Sequence, residues 1–341
     1  MQRIKAGIVG AGGFGGYRRE RLRESGLYEL LGSFDINPAA MQAAQKDDGA
    51  RPCASYDELL AMPGLEAIFV STGGKFHAEQ ALAAMRKGLH VFIEKPLCST
   101  MDEVKALYDA QRKNGVVVGV GHGDHRSDPI CMLIKACLAD GRIGKLAAIE
   151  YNSSHSGGLA GKPTDWRFDP EKNPGGMLFQ CGVHALHEMM YLFGPVTEVA
   201  AFMRYDVHIT KTADTAQTLL RFQDGLTATL NCYHVTAYNH RFRLFGTHGN
   251  LYINTHEQRA FYQERKQNET EPEVELKLPS HDAKLHRCGN VISFARTIRG
   301  EEQQTWPGLD EGARAVAVVF ACEQSSRERR TVSVALPDGR V

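Results

Sequence analysis

Gly10, Gly12 and Gly15 stand at the spacing Gly-x-Gly-x-x-Gly, within the run Gly10-Ala11-Gly12-Gly13-Phe14-Gly15. In a chain with 34 glycines that spacing alone says little. Its surroundings say more. The apolar run 4–9 precedes it, a helical pattern follows, and an acid, Asp35, stands 20 residues after Gly15. Gly10 permits a tight turn, Gly12 lets the backbone approach a pyrophosphate, and Gly15 lets a helix pack against a strand. Gly13 and Phe14 complete the loop, and the amides and dipole of a helix start favour phosphate. A carboxylate at the end of the second strand can accept from both hydroxyls of an adenosine ribose and repels a 2′-phosphate. The expected cofactor is therefore NAD in preference to NADP.

A second constellation lies further on. Cys181, His184 and His187 are spaced as metal ligands can be, and His187-Glu188 matches half of a His-Glu-x-x-His zinc motif. The other half is missing, because position 191 is Tyr191, and the eight cysteines include no Cys-x-x-Cys pair. His122 and His125 could add ligands, but no complete signature forms, so no metal is expected.

Elements that could position these residues follow from hydrophobic periodicity. Over the first 125 residues, strand patterns at 4–9, 30–34, 67–71, 90–93 and 116–120 alternate with helical ones. Asn37-Pro38 offers an N-cap followed by proline, and Ser55…Glu58 and Thr100…Glu103 have capping-box spacing. Asn114-Gly115 reads as a helix stop. This alternation predicts a doubly wound parallel sheet of Rossmann type over residues 1–125. After a helix at 129–139, strands at 146–154, 196–205, 216–222, 226–233, 241–245 and 250–254 are joined in part by short turns such as Asp224-Gly225 and His248-Gly249. Helical patterns cover 176–193, 284–299 and 309–327. Residues 126–341 are thus predicted to form an α+β domain with a large, mostly antiparallel open sheet. The chain as a whole is α/β. An uncovered sheet face would suit packing of two subunits, so a homodimer or homotetramer is expected.

Bulk properties narrow the classes. Lys plus Arg equals Asp plus Glu at 40 each, so neither a basic excess nor a nucleic-acid partner is expected. The arginine-rich stretch 17–25 (YRRERLRES) is interleaved with glutamates and reads as a solvated helix face. Scattered cysteines suggest reduced thiols, no apolar run approaches membrane-spanning length, and the N-terminus enters a strand pattern at once. Cytoplasmic location without a membrane partner is the expectation.

Val70-Ser71-Thr72-Gly73-Gly74-Lys75-Phe76-His77, followed by His90-Val91-Phe92-Ile93-Glu94-Lys95-Pro96, resembles the glucose-fructose oxidoreductase / inositol dehydrogenase / rhizopine-catabolism (Gfo/Idh/MocA) family. The resemblance spans nearly the whole chain. It implies a Rossmann domain binding NAD or NADP, an open-sheet domain carrying a sugar, polyol or related carbohydrate substrate, and dimers or tetramers. It makes Lys95 the lysine at the nicotinamide end. Chemistry agrees, since oxidising an alcohol needs a proton acceptor at the hydroxyl oxygen. Ser71, Thr72, His77 and Glu94 match positions lining the cofactor cleft, while Gly73-Gly74 replaces the Pro-Asn found in many members.

The same resemblance matches Gly175 through Glu188 to the family's segment facing the nicotinamide. His184 is kept, but Gln180 stands where an aspartate is frequent, and His187 replaces a second frequent aspartate. A glutamine can orient an imidazole but cannot stabilise its protonated form as a carboxylate does. Proton handling is therefore expected from Lys95 and His184, with Gln180 as a neutral positioner. For substrate contacts the candidates are His122, Arg126, His155, Trp166, Arg167 and His187, with Asp124, His125 and Asp165 beside them; Trp-Arg near a carboxylate would suit a sugar. The expected activity is reversible dehydrogenation of a secondary hydroxyl. Two alternatives stand beside it: an NAD-dependent glycosidase working through transient oxidation, and a non-catalytic dinucleotide-sensing regulator, the latter motivated by Gln180.

Overall fold

A computed structural model describes residues 2–162, 166–208, 211–266 and 270–340. They form two compact units, one of residues 1–124 with 282–313 and one of residues 125–281 with 314–341.

The first unit holds six strands: β1 (Ile4–Val9), β2 (Tyr28–Phe34), β3 (Arg51–Pro52), β4 (Ala67–Val70), β5 (His90–Ile93) and β6 (Val118–Val120). All pair in parallel, in the order β3-β2-β1-β4-β5-β6. This is the dinucleotide-fold order, whose reversal between β1 and β4 opens a crevice at the carboxyl ends of the strands. The helix starts form as their sequences dictate. Asn37 accepts from the Ala39 amide, Ser55 from the Glu58 amide, and Thr100 with Glu103 makes a full capping box.

Two expectations about this unit need correction. The chain does not split into consecutive domains at residue 125, because the helix Ala283–Ile298 returns to the first unit. Its Phe294 meets Phe69 and Phe92 with ring centroids 5.8 Å and 5.6 Å apart, and the Tyr28 hydroxyl donates to the Val291 carbonyl at 2.6 Å. Those rings need apolar cover on that face of the parallel sheet, and this later segment supplies it. Nor is the arginine-rich helix Phe14–Ser25 a solvated face: Arg18, Arg19 and Arg21 are all buried.

In the second unit, nine strands form one sheet in the order β14-β13-β12-β11-β7-β10-β9-β8-β15. They are β7 (Leu146–Ser154), β8 (Val196–Arg204), β9 (Thr215–Phe222), β10 (Thr227–Tyr233), β11 (Asn239–Gly246), β12 (Gly249–Asn254), β13 (Arg259–Glu264), β14 (Val274–Leu276) and β15 (Val332–Ser333). Every pairing is antiparallel except β7 with β10. Along β9 buried residues alternate with exposed ones, so one face packs inward and the other carries Gln217, Leu219 and Arg221 outward. No helix among the described residues is long and apolar enough to cross a membrane.

Candidate functional site

The glycine loop is built as its spacing requires. Gly10 and Gly13 have φ of +79° and +51°, conformations that side chains rarely adopt. A Cβ on Gly10 would come within 2.6 Å of the Ser71 backbone, and one on Gly15 would lie 1.8 Å from the Gly10 carbonyl oxygen. The helix Phe14–Ser25 starts at Gly13 without a side-chain cap, its Gly15 and Gly16 amides donating to the Gly12 and Gly13 carbonyls at 2.8 and 3.1 Å, and its positive dipole end faces the loop. Phe14 is half exposed and packs on Tyr17. The loop therefore fits a dinucleotide pyrophosphate.

Asp35 closes the loop from below. Its Oδ2 accepts from the amides of Ala11 at 2.7 Å and Gly12 at 3.0 Å, and its Oδ1 from the Asn37 amide at 2.8 Å. The carboxylate thus shapes the loop itself, a role that spacing alone does not disclose.

At the ends of β4 and β5 the structure gathers Ser71, Thr72, His77, Glu94 and Lys95. Thr72 donates from Oγ1 to Gln80 Oε1 at 2.6 Å. His77 is buried, with Nδ1 2.7 Å from the Pro96 carbonyl and Nε2 3.0 Å from that of Thr72. It pins the two strand-end turns to each other, and burial pushes its pKa down despite both carbonyls. Ser71 is buried against the glycine loop. Lys95 is half-buried at the start of a cis Lys95–Pro96 peptide. Glu94 is buried, paired with Arg18, and has Gly121 against it, where a Cβ would sit 2.3 Å from Glu94 Oε2. His122 is fully buried and accepts at its carbonyl from Asn290 Nδ2 at 2.7 Å.

In the second unit the segment expected to be one helix over 176–193 is helical throughout, with a π turn near its start. Gly175 and Gly176 have φ of +74° and +54°, and a Cβ on Gly176 would strike the Ala213 carbonyl at 2.1 Å. A π-helical turn, Leu178–Gly182, then leads into the α-helix Val183–Phe193. Such turns occur as single-turn bulges inside α-helices, frequently at functional sites. This one carries half-buried Gln180 and Cys181, and His184 follows on an exposed position. Sequence periodicity had no means of showing the π turn.

Around this turn His155 accepts at Nδ1 from the Gly157 amide at 2.8 Å, which leaves the proton on Nε2, 3.3 Å from Cys181 Sγ. His187 is buried rather than open, its ring 4.8 Å from that of His125. Behind it Glu188 accepts from the Tyr151 hydroxyl at 2.8 Å; burial, then the nearby Asp128, push its pKa up to about 7. Arg126 is exposed, Trp166 is half-buried with the Arg167 guanidinium 4.8 Å over its ring, and Asp165 lies outside the described residues. Among the described residues no group of three His, Cys, Asp or Glu side chains is placed to hold a metal ion. Lys95 belongs to the first unit and His184 to the second.

Sequence reading missed two sets of residues. One is Arg18 and Arg19 of the first helix, whose partners are remote in sequence. The other is His234, Tyr238, His240 and His256, which join His155 through ring contacts.

Comparison with known proteins places this geometry. The profile described as "Oxidoreductase family, NAD-binding Rossmann fold" matches residues 4–122, and the GFO/IDH/MocA C-terminal domain matches residues 132–252. The 1,5-anhydro-D-fructose reductase of Ensifer adhaerens is 28% identical over 261 residues, covering 75% of this chain and 76% of that one. The myo-inositol 2-dehydrogenase of Thermotoga maritima is 23% identical over 341 residues, covering 97% and 98%. A crystal structure of a candidate NADPH-dependent oxidoreductase from Desulfitobacterium hafniense superposes with a TM-score of 0.89 at 24% identity, covering 98% of each chain. With both family domains matched in order and the Rossmann strand order observed, this chain belongs to the GFO/IDH/MocA family of oxidoreductases.

Proposed function

We propose that this protein is an NAD-dependent dehydrogenase or reductase acting on a secondary hydroxyl of a sugar, polyol or sugar derivative. The observation that carries the reading is the Glu94-Lys95-Pro96 turn at the carboxyl end of β5, in the same sheet edge as the glycine loop. Relatives that reduce anhydrofructose or oxidise inositol support the substrate class. When bound, the nicotinamide supplies the hydride acceptor or donor. Lys95 takes the hydroxyl proton in the oxidative direction and returns it in the other. His184 has the supporting proton-handling role, and Gln180 orients as a neutral amide. Asp35 favours NAD over NADP, because a 2′-phosphate would meet a carboxylate already held in place by three backbone amides.

A screen of sugars, inositols, sugar acids and glycosides with NAD and with NADP, following absorbance of the reduced cofactor, tests this. Turnover of at least one polyol with NAD giving the higher kcat/KM is expected. Glycoside cleavage without net reduced cofactor would replace the dehydrogenase with a glycosidase using transient oxidation.

The open face of the nine-stranded sheet exposes Phe202 at 77% and Leu219 at 51%. We assign that face to subunit contact in a homodimer or homotetramer. Light scattering at micromolar concentration should give a multimer, and the Phe202→Glu variant a smaller species. All eight cysteines are free thiols, which supports a reducing compartment such as the cytoplasm.

A further inference from the structure

Four imidazoles and one phenol gather at one end of the nine-stranded sheet. His155 directly follows β7, His234 follows β10, Tyr238 and His240 stand at the start of β11, and His256 lies just beyond β12. The register brings them together: Ser154 pairs with Asn239, and Asn254 with Arg241. Tyr238 is the centre of the group. Its ring centroid lies 5.8 Å from His155, 5.5 Å from His240 and 5.2 Å from His256, and the three imidazole planes are tilted from it by 30°, 27° and 34°. The three imidazoles thus pack around the Tyr238 ring as an aromatic plate, yet Tyr238 remains 66% exposed. A large aromatic side chain braced by three rings and left open to water is built for a ligand with an apolar face.

Two of the imidazoles are held toward their neutral form. The Gly157 amide donates into His155 Nδ1, a bond that a protonated ring would lose. Burial pushes His155 below its ordinary range, and burial with the neighbouring His256 and His155 does the same to His240. In that form His155 and His240 offer an anion no charge to pair with. The plate offers π faces to the C–H groups of a pyranose, and imidazole edges to its hydroxyls. Tyr238 is linked to the π turn through His155, whose ring lies 5.8 Å from that of Tyr238 and whose Nε2 is 3.3 Å from Cys181 Sγ, one residue from Gln180.

We infer that Tyr238, braced by His155, His240 and His256, is a subsite for a second, uncharged sugar ring, so that the substrate class is a glycoside or disaccharide rather than a free monosaccharide. This rests on the sugar-oxidoreductase reading above. The test is calorimetric binding to the full-length protein loaded with NADH, comparing glucose, glucose 6-phosphate and gluconate with maltose, cellobiose and sucrose. At least one disaccharide should bind about tenfold more tightly than glucose, the scale of one aromatic stacking contact. Tyr238→Ala should erase that advantage while leaving glucose binding unchanged, and Tyr238→Phe should keep it. Tightest binding of an anionic sugar, or equal loss for glucose and disaccharide in Tyr238→Ala, overturns the subsite. Glucose binding without any gain from a second ring also overturns it and leaves the sugar reading standing. Absence of all saccharide binding while NADH binds normally overturns both.

Discussion

Arg18 donates from Nε to Glu94 Oε1 at 2.6 Å, with the side chains only 2% and 4% exposed. The same guanidinium lies 4.6 Å over the Phe92 ring and donates from Nη1 to Asn290 Oδ1 at 3.3 Å. Asn290 in turn holds the His122 carbonyl. One network therefore ties the helix after the glycine loop, the β5 end that carries Lys95 and the β6 end into a single edge. Its fourth member comes from the returning helix Ala283–Ile298.

Breaking that pair from one side leaves a buried carboxylate without its cation. Arg18→Met is expected to destabilise the protein by about 3–5 kcal/mol, whereas Arg18→Met with Glu94→Gln should recover much of the loss. Chemical denaturation of the three proteins checks this. A single-variant cost under about 1 kcal/mol would mean that the pair is not a buried ion pair in solution.

Asp35 gives a different signature. Its carboxylate holds the amides of Ala11, Gly12 and Asn37 and is proposed to meet the ribose, so Asp35→Ser should weaken NAD binding and narrow the NAD-to-NADP preference by about tenfold or more. Fluorescence titration with NADH and NADPH reads both effects. An unchanged ratio of the two Kd values would remove Asp35 from cofactor choice and leave it as a loop brace.

Glu188 predicts a pH dependence of stability. Its folded pKa of about 7 stands above the ordinary 4.5, so the folded state keeps a proton that the unfolded chain releases. Stability is lost as pH rises from about 4.5 to 7, and above 7 the full penalty, on the order of 3 kcal/mol, applies. Glu188→Gln should flatten that part of the stability curve. If wild type and variant share one slope between pH 5 and 8 in denaturant titrations, the buried carboxyl is not the group responsible.

How much of this was legible in the sequence depended on locality. The glycine loop, the Asn37 and Thr100 caps and the Rossmann order rest on neighbours within a few residues, and periodicity exposes such features. The buried arginines read as a solvated face because glutamates alternate with them, while the partners of Arg18 and Arg19, namely Glu94, Asn290 and Asp48, lie far along the chain. The return of residues 282–313 was hidden because Phe294 and Val291 look like the core of any helix. β13 was missed because Arg259–Glu264 carries too few buried positions to show a two-residue period. The imidazole plate, assembled from four strand ends, has no linear signature at all.

Lys95 carries the chemistry in this account, so Lys95→Met should lower kcat by about 10²–10⁴-fold, the usual weight of a positioned proton acceptor. NADH affinity should stay close to that of the wild type. Loss of NADH binding in parallel with turnover would make Lys95 a cofactor-binding residue instead.

The most direct measurement is isotope transfer. Wild-type protein is incubated with reduced dinucleotide deuterated at C4 of the nicotinamide and a panel of keto-sugars and keto-inositols, and the products are analysed by mass spectrometry. One deuterium on a sugar carbon, with one dinucleotide oxidised per product formed, is the expected result. Bound dinucleotide that passes deuterium to no member of the panel would contradict the account and point to a dinucleotide sensor.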